Sequence, residues 1–166
     1  VWSIEDFNNY SVETQENPCS VGDMTNFVRF VCAEKHPTAD AELGMFSARD
    51  KIDFTVLSGR VQRAHDEAWF WFSRGGGGGL MYPRLRSHVR TPKIRQSLFW
   101  FKSEAAFYGY PKGSIVRRAR ELAEALSAAG VEIRELNTTD PGEIIWKDLD
   151  QVLAWPDGHS IPRAFG

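Results

Sequence analysis

Residues 113–136 read GSIVRRARELAEALSAAGVEIREL, and this stretch decides the fold class. Ile115, Ala119, Leu122, Ala123 and Leu126 recur at three- and four-residue spacing, the period of one helical face. Ser114 precedes them as the expected N-cap, and Gly130 follows them as the residue able to take the left-handed C-terminal position. The spacing therefore predicts one helix over about 115–129 with a single apolar face. Val131-Glu132-Ile133-Arg134 alternates directly afterwards and starts the next strand, expected over Val131–Leu136. A one-faced helix followed by a strand needs a sheet to pack against.

The rest of the chain supplies that sheet. Phe27-Val28-Arg29-Phe30-Val31-Cys32, Ile52–Leu57, Ala68-Trp69-Phe70-Trp71-Phe72 and Ser97–Phe101 are rich in β-branched and aromatic residues and read as strands. Ile144–Trp146 and Gln151–Trp155 flank Lys147–Asp150 as a hairpin, after a turn at Asp140-Pro141-Gly142. Short helical turns are expected at Ser3–Phe7, where Ser3 is the cap, and around Ala39–Phe46. Arg60–Glu67 is polar and reads as a turn of helix or a loop. Gly75–Gly79 is a run of five glycines and reads as a flexible loop, native or engineered. Strands and helices do not alternate regularly. The expected class is α+β: a largely antiparallel sheet of about six strands, the long helix, and one to three short helices, all in one domain over 1–166.

With 42% hydrophobic and 25% charged residues, the chain can bury a core, which argues against disorder. No apolar run approaches the roughly 20 residues of a membrane-spanning helix, so no membrane association is expected. The first residues, Val1 to Asp6, show neither the basic start nor the apolar stretch of a signal peptide. Cys19 and Cys32 make neither a metal-binding pattern nor a disulfide framework. They read as reduced thiols of a cytoplasmic protein. No cofactor is called for: hydrolase elbows, zinc-protease helices and dinucleotide fingerprints are absent.

Charge is unevenly distributed. The net charge is −2, yet residues 81–120 carry ten basic residues against one acid, Glu104. Residues 1–80 and 121–166 are both acidic. Within the basic block, Arg84, Arg86, Arg90 and Lys112 are expected on one anion-binding surface, with Arg117 and Arg118 at its edge. Tyr82 and Tyr110 stand beside Pro83 and Pro111, in loop-like sequence where their rings can stack on bases. His88 lies among arginines, which favour its neutral form and make it a candidate base beside a phosphate. Gly109–Ser114, at the start of the long helix, is a second candidate anion position. His65-Asp66-Glu67, with Asp50 and Asp53, is a weaker acid–base constellation that also reads as a polar turn.

These features point first to a domain that binds a phosphate-bearing ligand, with nucleic acid or a nucleotide as the expected partner, through residues 81–120. A toxin-like enzyme acting on RNA or a nucleotide, a nuclease or ADP-ribosyl-type transferase using His88 or His65, is a second expectation. An immunity or adaptor protein meeting an acidic partner protein is a third.

Overall fold

The computed structural model describes residues 24–73, 91–106 and 109–165. Six strands form one antiparallel sheet: β1 (Phe27–Lys35), β2 (Glu42–Gly44), β3 (Leu98–Lys102), β4 (Arg134–Thr138), β5 (Glu143–Lys147) and β6 (Gln151–Trp155). The helices are α1 (Met45–Arg49), α2 (Gly59–Ser73), α3 (Pro92–Arg95) and α4 (Ser114–Ala128), with a 3-10 turn at Phe54–Val56. The α+β class and the antiparallel sheet are as the sequence implies. Among the described residues no helix is long and apolar enough to cross a membrane.

Side-chain alternation along the strands separates two cores. Val28 and Phe30 of β1 and Phe101 of β3 face α2 and α4, where they meet Ala68, Trp71 and Phe72 and the stripe Ile115, Ala119, Leu122 and Leu126. Phe27 and Val31, with Leu98 and Trp100, face the other way. That second face is covered by Ala39, Ala41 and the returning segment Ile161, Ala164 and Phe165.

The long helix and the β5–β6 hairpin stand where the sequence places them. Gly130 has φ 97°, the left-handed value expected of a helix terminator, and Val131 N–H closes back on Leu126 O at 3.1 Å. Gly142 has φ 112°, and a Cβ there would lie 2.3 Å from Trp155 O, so the turn before β5 requires glycine.

Several local expectations are corrected. Ala68–Phe72 is not a strand but the end of α2, which begins at Gly59. His65, Ala68, Trp71 and Phe72 are its buried residues, at helical spacing, while Phe70 is 57% exposed. The polar stretch from Arg60 and the aromatic run are thus one amphipathic helix, and tertiary packing overrides the β preference of the aromatics. Ile52–Leu57 is a 3-10 turn and its flanks, with Asp53 Oδ1 accepting from Thr55 N–H at 3.0 Å. The expected helix at Ala39–Phe46 is replaced by β2, followed by α1. The strand after α4 runs Arg134–Thr138, because Val131 is occupied in closing the helix. The N-cap of α4 is Gly113, at φ 79°, and Ser114 is its first helical residue. The expectations at Ser3–Phe7, Cys19 and Gly75–Gly79 lie outside the described residues. Cys32 is a buried free thiol.

Candidate functional site: a cleft where the sheet divides

One edge of β1 is shared by two strands. Phe27 and Val28 pair with Lys102 and Phe101 of β3, whereas Val31 and Lys35 pair with Gly44 and Glu42 of β2. The opposite edge of β1 is taken by β4 over Phe27–Val31. Beyond Phe101, β3 leaves β1 and continues along β6, pairing Leu98–Phe101 with Ala154–Gln151. The sheet therefore divides into a β4–β1–β2 half and a β3–β6–β5 half, with a wedge between them. A cavity of about 770 Å³ occupies the wedge. Val28, Phe30 and Gly44 line it from one half, and Phe99, Trp100 and Phe101 from the other. Met45, Phe46 and Trp69 add apolar surface. Its volume falls in the range of roughly 300–1,000 Å³ typical of small-molecule sites.

The polar groups of the cleft are graded in depth. Arg29 is 6% exposed and donates from Nη2 to the backbone oxygen of Glu42 at 2.8 Å. Burial lowers its pKa to about 10, against the pull of the nearby Glu42 carboxylate, so the guanidinium stays charged at neutral pH. Trp100 is 1% exposed, and its indole Nε1–H has no hydrogen-bond partner among the described residues. Lys35, Thr38, Lys51, Asp50 and Arg95 line the same cavity as exposed residues and form its mouth. Lys51 pairs with Glu34, and Asp50 accepts from Arg49 Nη1 at 3.1 Å. Among the described residues, Arg29, Lys35 and Arg95 have no carboxylate within ion-pair distance.

His36 also lines the cleft. Its Nδ1 accepts from the backbone N–H groups of Thr38 at 3.2 Å and Ala39 at 2.9 Å. With Nδ1 an acceptor, the proton of the neutral ring sits on Nε2. Burial and the Arg29 charge lower the His36 pKa, so the ring serves as a neutral donor.

One wall of the cleft is strapped from outside. The Glu42 carboxylate is 4% exposed. Its Oε1 accepts from Ala164 N–H and Phe165 N–H, each at 3.1 Å, and from Arg163 Nε at 3.3 Å. Burial alone would raise its pKa. The Phe165 N–H, the Arg163 charge and the Ala164 N–H outweigh it and hold the group below the usual carboxylate range. Arg134 secures the same segment by donating to Ala164 O at 2.7 Å and lying 4.4 Å over the Phe165 ring.

The residues singled out in the sequence are distributed differently. Tyr82, Arg84, Arg86, His88 and Arg90 lie outside the described residues. Tyr110 packs its ring edge-on against Trp71 at 5.7 Å, and the Arg118 guanidinium lies 5.7 Å from the same indole. Lys112 is 3.8 Å from Glu104, Arg118 pairs with Glu121 at 3.0 Å, and Arg117 is exposed. None of these four lines the cleft. At the start of α4, the N–H groups of Gly113, Ser114 and Ile115 already donate to the carbonyls of Glu104, Pro111 and Ala105. Little of the usual helix N-terminal donor set is left for an anion there.

His65 is 2% exposed and stacked 3.6 Å from Phe54. Its Nε2 accepts from Arg49 Nε at 3.0 Å and its Nδ1 bonds Asp66 at 2.9 Å. Both nitrogens are engaged, which suits a structural residue. Of the basic block, Arg95 alone among the described residues reaches the cleft. Arg29 went unnoticed in the sequence, although a lone charge inside the apolar run Phe27–Cys32 was the available signal. No protein-family model, curated protein or solved structure matches the chain.

Proposed function

We propose that the protein binds a small phosphate-bearing ligand in the cleft between the two half-sheets. The observation that supports this reading is the charge of the lining: Lys35 and Arg95 are cations without a carboxylate partner among the described residues, Arg29 is offset only in part by Glu42, and Asp50, the one acid among the described lining residues, is paired with Arg49. An excess of positive charge at a concave, partly apolar surface favours an anion with an organic body. The concave wedge suits a small molecule better than a nucleic-acid strand, which needs a groove tracking its backbone. Of the described basic residues in 81–120, Arg95 contributes to this lining.

Calorimetric titration with inorganic phosphate, ribose 5-phosphate, nucleoside monophosphates and a short single-stranded RNA tests the reading. The parent protein is expected to bind at least one phosphorylated small molecule in a salt-sensitive way. Lys35→Ala/Arg95→Ala is expected to weaken that binding about tenfold or more, at about 1 kcal/mol for each exposed contact. Binding unchanged in the double variant, or confined to RNA, would refute the cleft as the site.

A further inference from the structure

We infer that the ligand of the cleft is a nucleotide that enters ring first, leaving its phosphate at the mouth on Lys35, Arg95 and the His36 Nε2–H. This rests on the cleft being a phosphate-ligand site, but separate observations set the orientation and the chemical class.

The first is the depth order of the donors. The exposed cations sit at the mouth, whereas the interior offers one buried guanidinium and one buried indole N–H. A phosphate dianion is strongly solvated, and burying it against a single cation is unfavourable. The buried carboxylate of Glu42 lies close enough to Arg29 to raise its pKa, so it offsets part of the positive charge at the inner end. The interior therefore suits a neutral or weakly charged hydrogen-bond acceptor, and the mouth suits the phosphate.

The second is the orphaned donor. Trp100 Nε1–H, in a residue that lines the cavity, is buried without a partner among the described residues. An unmade hydrogen bond on a buried donor is costly, and a ligand acceptor reaching it recovers that cost. Arg29, also a buried residue of the lining, supplies a second donor set. A ring carbonyl or ring nitrogen is the acceptor type that fits beside two such donors.

The third is the apolar part of the lining. Phe30, Met45, Phe46, Phe99 and Phe101 present apolar and aromatic surface. A flat heteroaromatic ring gains from such walls by burial and by ring contacts. A sugar phosphate is hydroxyl-bearing throughout, so it would leave those walls unfilled and lose its own hydration. A nucleoside monophosphate combines the three requirements: a ring with acceptors, a linking sugar, and a terminal phosphate.

The test compares purine and pyrimidine nucleoside 5′-monophosphates with ribose 5-phosphate and inorganic phosphate by calorimetry, on the parent, Trp100→Phe and Lys35→Ala. At least one nucleotide is expected to bind about tenfold or more tightly than ribose 5-phosphate, as ring burial and one recovered hydrogen bond imply. Trp100→Phe is expected to lower the ratio of nucleotide to ribose 5-phosphate affinity about threefold to tenfold, the worth of one hydrogen bond. Lys35→Ala is expected to weaken both ligands alike.

The Trp100 indole N–H resonance of the parent gives a readout that does not depend on the variant folding. It is expected to move downfield with the nucleotide and stay in place with ribose 5-phosphate. If ribose 5-phosphate binds as tightly as every nucleotide and the indole resonance does not move, the ring-first reading is overturned while the phosphate site stands. If none of the phosphates binds, both fall.

Discussion

Glu42→Gln tests whether a buried charge holds the wall of the cleft. Glu42 Oε1 receives three donors, Ala164 N–H and Phe165 N–H at 3.1 Å and Arg163 Nε at 3.3 Å. Glutamine keeps a carbonyl oxygen for those donors and removes the negative charge. Hydrogen bonds to a charged acceptor are worth about 1.5–3 kcal/mol, against about 0.5–1.5 for neutral ones. The three bonds share one oxygen and are long, so the loss lies toward the low end, about 1 kcal/mol. Removing the anion beside the buried Arg29 adds a comparable amount, for a total of about 2 kcal/mol. At this chain length that corresponds to a fall in Tm of about 4–8 °C. The pH dependence identifies the cause. The folded-state pKa of Glu42 lies below its reference value of 4.5, so the stability it contributes is fully present above that value. It is lost as pH falls through the folded-state pKa. Urea unfolding of parent and variant is therefore expected to show the full difference at neutral pH, with an unchanged m-value. The difference should narrow below about pH 4.5 and close once the carboxyl is protonated in both states. A difference that stays constant with pH, or no difference at pH 7, would refute a role for the charge.

Leu122→Ala removes a fully buried side chain from the α4 face and is expected to cost about 2–5 kcal/mol in chemical denaturation; a loss under about 1 kcal/mol would show that the helix does not seat there. The His36 imidazole is expected to titrate below its reference value of 6.5, with the Nε2–H tautomer seen by nitrogen NMR. Its contribution to stability is present above 6.5 and declines as pH falls from there toward the folded-state pKa, because the unfolded chain takes up the proton first. A midpoint at or above 6.5 would contradict the lowering by burial and the Arg29 charge.

What could be read from the sequence was local. The α4 face, its Gly130 stop and the β5–β6 hairpin depend on spacing within fewer than twenty residues, and each appears where that spacing puts it. Trp69–Phe72 taken alone has strand composition, which hides the end of α2. The evidence for a helix is the three- and four-residue spacing of His65, Ala68 and Phe72, which spans the supposed boundary at Glu67. Ser114 looked like a cap because serine usually is one, yet Gly113 adopts φ 79° and takes that position. The cleft was not legible at all. It arises where two strands, separated by more than fifty residues, compete for one edge of β1. No window of sequence carries that information. Only the lone arginine in Phe27–Cys32 hinted that part of this strand faces something polar.

The way the sheet divides also sets how the cleft can respond to a ligand. Each half is held by a longer ladder than the one joining them: five residue pairs connect β1 to β4 and four connect β3 to β6. The ladder that joins the halves has two pairs, Phe27–Lys102 and Val28–Phe101, continued by the Ser103 N–H bond to Asn26 O. The aperture on the far side of that joint is set by β2, three residues long, whose register on β1 shifts between Val31 and Lys35. Besides its pairing with β1 and the packing of Leu43, β2 is held by the Arg29 bond to Glu42 O and by the grip of the Glu42 carboxylate on residues 163–165. Arg29 thus belongs to the wall and to the cavity lining at once. A ligand acceptor that engages the rest of its guanidinium acts on the side chain that positions β2. For the ligand proposed above, affinity and docking of the 163–165 segment would then be linked, and linkage is reciprocal: loosening that segment would weaken the ligand by the same factor by which the ligand tightens the segment.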